Sequence, residues 1–142
     1  MSVQRIRDVA RRKVVAADPD MDAESLARLM REESVGSVVI ETEAYPVGIV
    51  TDRDLVVEVL ADESTDEEVF ASELMTEYPT TIRDDLGVEA AVEAMDEHDV
   101  RRLPVVNHHD TLVGIVTLDD IYRELVREHE HLANVVAAES PD

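Results

Sequence analysis

The chain contains one unit written twice, and this constrains its fold more than any other feature. Gly48-Ile49-Val50-Thr51-Asp52-Arg53-Asp54 returns as Gly114-Ile115-Val116-Thr117-Leu118-Asp119-Asp120, with the same glycine, β-branched pair, threonine and final aspartate. The duplication extends beyond this stretch: Val9 to Ile40 align with Leu74 to Val105 at a constant offset of 65, which becomes 66 by Gly48. The extra residue falls in the second hairpin loop, which contains Asn107-His108-His109-Asp110. Paired positions agree in character: Met30 with Met95, Val35 with Val100, Val38 with Leu103, Leu55 with Ile121. Each copy must therefore form the same supersecondary unit. Half of a 142-residue chain can hardly bury a core alone, so both copies are expected to share one compact domain, 1–142.

The apolar pattern names the elements of that unit. Val3 to Arg12 is a charged lead-in anchored by Ile6 and Val9, Val14 to Ala17 is an extended run, and Asp18-Pro19-Asp20 turns the chain. Ala23, Leu26, Ala27, Leu29 and Met30 recur at helical spacing behind Asp22, a candidate N-cap, and Gly36 is expected to close that helix. Ser37 to Ile40 and Val47 to Val50 read as strands joined by a loop from Glu41 to Pro46. Leu55, Val56, Val57, Val59 and Leu60 predict a helix apolar on most of its circumference, which must be buried on two sides or lie against a second subunit. After an acidic connector, Ala61 to Glu68, the series restarts with Leu74-Met75-Thr76 and an extended Pro79 to Ile82. A helix from about Gly87 to His98 follows, then strands Leu103 to Val106 and Leu112 to Val116, then a helix from about Leu118, with Leu132 to Ala138 a weakly apolar tail. The prediction is an α/β fold of two β-α-β-β-α repeats, 9–62 and 74–127, with 128–142 as a C-terminal helical extension or tail.

The repeated threonine sits where a strand turns into a helix. Such a corner aims backbone N–H groups and the positive end of a helix dipole outward, next to a hydroxyl and, one turn on, a carboxylate. That equipment suits a phosphorylated sugar. Thr-x-x-Asp at a helix start is also a capping pattern, in which the hydroxyl only satisfies an orphan N–H. Because duplicated structure duplicates its caps, repetition alone does not separate the two readings.

Composition removes several functions. There are 34 acidic and 13 basic residues for a formal charge of −21, yet 44% of the chain is hydrophobic with clear periodicity, which argues against a disordered acidic tail. Lys13 is the only lysine, aromatics are 3%, and the carboxylates are spread along the chain, a composition that resembles proteins of extreme halophiles, including archaeal ones. Duplex nucleic acid is not an expected partner, because the chain lacks the Lys/Arg stripe that phosphate neutralisation requires. Without cysteine there is no disulfide framework and no thiolate chemistry. No run approaches a membrane span and no signal-peptide core is present, so the expectation is a soluble cytoplasmic protein. No metal site is expected: His108-His109 lies in a hairpin loop, His129 and His131 are spaced so that their rings point apart, and His98 is alone. Asp84-Asp85 and Asp119-Asp120 have no histidine or nucleophile beside them and read as solvated or capping groups, so no catalytic residues are assigned.

Paired Gly-Ile-Val-Thr-x-x-Asp motifs, with Val100-Arg101-Arg102-Leu103-Pro104-Val105-Val106 before the second hairpin, resemble a tandem pair of cystathionine-β-synthase (CBS) domains, a Bateman module, over roughly Val9 to Val126. The resemblance implies a pseudo-twofold axis between the repeats and two clefts that in relatives bind adenosine compounds such as AMP, ADP, ATP or S-adenosylmethionine. It implies that Thr51 and Thr117 contact phosphate or ribose oxygens, and that Asp54 and Asp120 accept from ribose hydroxyls, a vicinal diol offering two donors to a carboxylate. It places Val15, Ala16 and Ala17, Thr80, Thr81 and Ile82, and Val39, Pro104, Ile49 and Ile115 along the adenine slots. Two departures make the clefts unequal: Met75-Thr76 has Ala10-Arg11 as its counterpart, and Val39 stands where Pro104 does. Arg53 is aligned with Asp119, so the first cleft is expected to hold an anion more tightly, unless Arg53 pairs with neighbouring carboxylates and Arg101 or Arg102 supplies the second. The implied function is a non-catalytic, stand-alone regulator of another protein that requires no cofactor and takes an adenosine nucleotide as its regulatory ligand. It is expected to form a homodimer through Leu55 to Leu60 and their counterparts Ile121, Tyr122, Leu125 and Val126. The alternative is a structural dimerisation scaffold with empty clefts.

Overall fold

In the computed structural model, residues 4–62, 68–77 and 80–139 are described. The middle of the acidic connector and Pro79 at the head of the second extended run lie outside them. The first half runs α1 (Ile6–Val9), β1 (Ala16–Ala17), α2 (Ala23–Glu33), β2 (Ser37–Thr42), β3 (Tyr45–Thr51) and α3 (Asp52–Leu55), which a π-helical turn, Val56–Leu60, continues. The second half repeats this order with one strand added, β4, as α4 (Ala71–Leu74), β4 (Thr76–Glu77), β5 (Ile82–Arg83), α5 (Val88–His98), β6 (Arg102–Val106), β7 (Leu112–Thr117) and α6 (Leu118–Glu139). Two sheets result, one ordered β1-β2-β3-β4 and the other β5-β6-β7. In each, a short parallel strand leads (Ala16 opposite Val39, Ile82 opposite Val105) and an antiparallel hairpin follows.

The sheets differ at one edge, and the difference reaches a cleft. β4 adds to the first sheet with Thr76 opposite Ile49, whereas in the second sheet the equivalent place is taken by the single residue Arg11, bridged to Ile115. Both backbone bonds of that bridge form, Arg11 N–H to Ile115 O at 2.9 Å and Ile115 N–H to Arg11 O at 3.0 Å. The repeated glycine makes room for these edge segments. A Cβ on Gly48 would lie 2.9 Å from Met75 Cβ, and one on Gly114 would lie 2.8 Å from Arg11 O, closer than side-chain carbons approach.

Three expected boundaries shift, each for a local reason. Asp22 caps α2 as expected, accepting from Ser25 N–H, but the helix ends at Ser34, which adopts φ 55° and ψ 46°, and not at Gly36. Asp99, its counterpart, ends α5 in the same left-handed conformation. The loop expected from Glu41 to Pro46 shrinks to a two-residue turn in which Glu43 and Ala44 have φ of 52° and 69°. Positive φ at both central residues is what a tight hairpin needs to follow strand twist, although neither residue favours it. The apolar helix expected from Leu55 is α-helical only to Leu55 and then winds more loosely as the π-turn.

Two cores form, and the leading helices are exchanged between them. Ile6 packs with Ile82, Val88, Ala91, Met95, Leu103, Val105, Val116 and Ile121 of the second half and is 0% exposed. Ala71 and Leu74 pack with Leu26, Met30, Val38, Ile40, Val50 and Leu55 of the first. Backbone bonds fix both exchanges in matching register. Ile6 N–H donates to Leu86 O, Arg7 N–H to Asp84 O and Val88 N–H to Gln4 O, while Ala71 N–H donates to Met21 O, Ser72 N–H to Pro19 O and Ala23 N–H to Val69 O. Full burial of an isoleucine is worth about 1.5 to 3 kcal/mol, so each half takes a substantial part of its stability from the other's chain.

Candidate functional site: two clefts between the repeats

Each Thr corner faces a cleft whose opposite wall belongs to the other repeat. The first cleft, of about 500 Å³, joins Ile49, Thr51 and Arg53 to Asp99 to Arg102 and Pro104, with Thr76 and Thr80 at its side. The second, of about 340 Å³, joins Ile115, Thr117 and Asp119 to Ser34 to Ser37, with Arg11, Lys13 and Val15 at its side. Arg101 and Arg102 border both. The walls correspond, since Ser34 to Ser37 align with Asp99 to Arg102 at the repeat offset of 65.

The same corner is built differently in the two halves. In the first, Asp52 N–H donates to Gly36 O at 2.9 Å, Arg53 N–H to Asp52 Oδ1 at 2.8 Å, and Asp54 N–H to Thr51 Oγ1 at 3.2 Å. Asp54 Oδ2 accepts from Thr51 N–H at 2.8 Å and completes a capping box. The expected free donors are thus satisfied internally, and Asp54 is a capping group in this structure. In the second corner Leu118 N–H donates to Arg101 O at 2.8 Å and Asp120 N–H to Thr117 Oγ1 at 3.1 Å. A leucine at the first helical position cannot cap the next residue, and Asp119 N–H has no protein partner among the described residues.

Asp120 turns away from the helix start because Arg11 holds it. Arg11 Nε donates to Asp120 Oδ2 at 3.0 Å and Nη2 to Oδ1 at 3.1 Å, a two-pronged pair, and Arg123 Nη1 adds a third bond at 3.1 Å to Oδ1. The Asp120 side chain is 11% exposed. Burial by itself would raise its pKa, but the bonds from Arg11 and Thr117 and the charges of Arg11 and Arg123 outweigh this and hold the carboxyl below its ordinary range. The bond from Asp120 and its charge raise the Arg11 guanidinium in turn.

Most expected ligand-binding residues fall on these walls: Ile49, Thr51, Arg53 and Pro104 at the first cleft, Ile115 and Thr117 at the second, Arg101 and Arg102 at both. Others do not. Ala17 and Ile82 are buried in the two cores, Ala16 pairs with Val39 in the sheet, and Thr81 is exposed beside Thr80, which takes the wall position instead. Asp54 and Asp120 stand one turn behind the lining, bonded as described. Arg11 and Lys13 were not among the expected residues, and the one signal was the place of Ala10-Arg11 opposite Met75-Thr76 in the repeat alignment. Among the described residues no three His, Asp or Glu side chains are grouped to hold a metal ion.

The CBS-domain family profile matches residues 6–61 and 71–127, most of the chain. The chain belongs to the CBS-domain family and carries two of its domains. It is 41% identical over 117 residues to protein MK0525 of Methanopyrus kandleri, covering 82% of this chain and 60% of that one. Hypoxic response protein 1 of Mycobacterium tuberculosis is 33% identical over 136 residues, covering 95% of this chain and 94% of that protein. A crystal structure of Hypoxic Response Protein I with two coordinated zinc ions superposes with a TM-score of 0.74 at 31% identity, over 84% of this chain and 98% of that one. A structure of CBSX2 in complex with AMP superposes with a TM-score of 0.74 at 25% identity, over 88% of this chain and 98% of that one; CBSX2 is a CBS-pair protein of Arabidopsis thaliana. Two CBS repeats in mixed α/β layers are therefore the fold of this chain. No helix among the described residues is long and apolar enough to cross a membrane.

Proposed function

We propose that this chain is a cytoplasmic regulatory module that binds adenosine nucleotides in the two clefts, performs no catalysis, and passes ligand occupancy to a partner protein as a homodimer. The observation that carries this is the composition of the cleft walls. In a chain of charge −21, arginines 11, 53, 101 and 102 and the sole lysine all face these two spaces, next to Thr51 and Thr117 at helix starts. Such a set binds phosphate, while Ile49 and Pro104, or Val15 and Ile115, offer apolar surface for a base. The AMP bound to CBSX2 supports the adenosine part. A scaffold with empty clefts would use the exposed apolar residues of α6 but would leave this gathering of cations without a role.

The test is calorimetry in molar KCl with AMP, ADP, ATP, NADH and S-adenosylmethionine. At least one adenosine compound is expected to bind, and Thr51→Ala combined with Thr117→Ala to weaken it by about tenfold or more, the worth of one hydrogen bond to a charged group. No binding by any of the five would leave the scaffold reading standing.

A further inference from the structure

We infer that the second cleft is the site for the polyphosphate end of a nucleotide, a di- or triphosphate, and that Arg11 and Lys13 select it, the first cleft taking an adenosine ligand of lower charge. This rests on the adenosine reading above. Charge carries it first. The first cleft sets Arg53, Arg101 and Arg102 against Asp52 and Asp99, whereas the second sets Arg11, Lys13, Arg101 and Arg102 against Asp119 on the wall, with Asp120 and Glu33 behind it paired to Arg11 and Lys13. The Arg53–Asp119 pair read in isolation gives the opposite order, and Arg11 and Lys13 reverse it. Backbone carries it second. The first corner has its leading N–H groups capped, while the second begins a helix of 22 residues with Asp119 N–H unpartnered among the described residues.

Arg11 is free to change partners. If a phosphate group takes its guanidinium, the Asp120 carboxylate keeps the charge-assisted bond from Arg123 Nη1 to Oδ1, so its charge is not left without a partner. The exchange opens Asp120 Oδ2, which Arg11 Nε occupies at 3.0 Å, as an acceptor one helical turn behind Thr117. One movement thus provides a cation for phosphate and a carboxylate for a ribose hydroxyl. Lys13 makes a single ion pair with Glu33 at 3.1 Å and is 82% exposed, so it can swing to the same anion without cost to the fold.

The experiment is calorimetry with ATP, AMP and inorganic tripolyphosphate on the full chain, as wild type, Lys13→Gln, Arg11→Gln with Lys13→Gln, and Arg53→Gln, each checked for folding by thermal melt. ATP is expected to bind wild type about tenfold or more tightly than AMP. The double variant should erase that ratio, Lys13→Gln should erase part of it with the Arg11–Asp120 ion pair intact, and Arg53→Gln, which removes a cation of the first cleft, should weaken AMP while leaving ATP affinity unchanged. ATP and AMP binding equally to wild type, or Arg53→Gln weakening ATP as much as the double variant does, would overturn the inference while the adenosine reading stands. Tripolyphosphate binding as tightly as ATP, and lost on removal of Lys13, would keep the polyphosphate site and end the adenosine reading. Binding of none of the three probes would end both.

Discussion

Asp54 and Asp120 occupy equivalent positions, and their surroundings give them different tasks. Asp54 closes a cap on Thr51, while Asp120 leaves its cap half made to hold Arg11 and Arg123. The consequence is a pH dependence with a definite sign. The folded-state pKa of Asp120 lies below the unfolded value of about 3.9, so its pairing stabilises the fold above that pH and the contribution is lost as pH falls through the folded value. Arg11 is 57% exposed, which limits the pair to about 1 kcal/mol, or about 2 to 4 °C in a chain of this size. Asp120→Asn is therefore expected to melt a few degrees lower at pH 7, and the gap to wild type to start closing only below the unfolded value of about 3.9, as the pH falls through the lowered folded one; a gap that does not shrink with acid below that value would refute the assignment. Little of this was legible from the sequence. The Thr-x-x-Asp spacing identified both corners, but Arg11 lies 109 residues from Asp120, and no local pattern links residues so far apart.

At the scale of elements, apolar periodicity placed every long helix and both hairpins, because amphipathic faces are written into local spacing. It failed where conformation ran against residue type. Glu43 and Ala44 make a tight turn without glycine or asparagine, and Ser34 ends a helix that Gly36 was expected to close. Periodicity also shows that a face is apolar without naming what covers it. Val56, Val57 and Leu60 of the π-turn and Tyr122, Leu125 and Val126 of α6 are exposed on one chain, Leu60 at 77%, and the stripe continues through Leu132 and Val136. A second copy supplies the complement most simply, since a twofold interface needs only one self-complementary patch. Light scattering at micromolar concentration is expected to show a dimer, and Val57→Glu with Leu125→Glu to yield a folded monomer. A monomeric wild type would remove the dimer from the proposed function.

For the whole molecule, charge sets the conditions. Acids exceed bases by 34 − 13 = 21, so even complete pairing would leave most carboxylates facing one another through solvent. At about 1 M salt the Debye length is about 3 Å and that repulsion is screened; in dilute buffer it acts across the surface. The melting temperature is expected to rise with KCl from millimolar to molar, and a flat series would contradict the halophilic reading. Cohesion comes from a different source, the helices each half lends to the other. Ile6 completes the second core and Ala71 with Leu74 the first, through matching sets of backbone bonds. Each half both gives and receives, so the same contacts would close between two separate copies of a single repeat, as in a swapped dimer. The peptide joining the halves is then topologically dispensable: it makes permanent a partnership that the fold already contains, and gene duplication followed by fusion would have needed to invent no new interface to produce it.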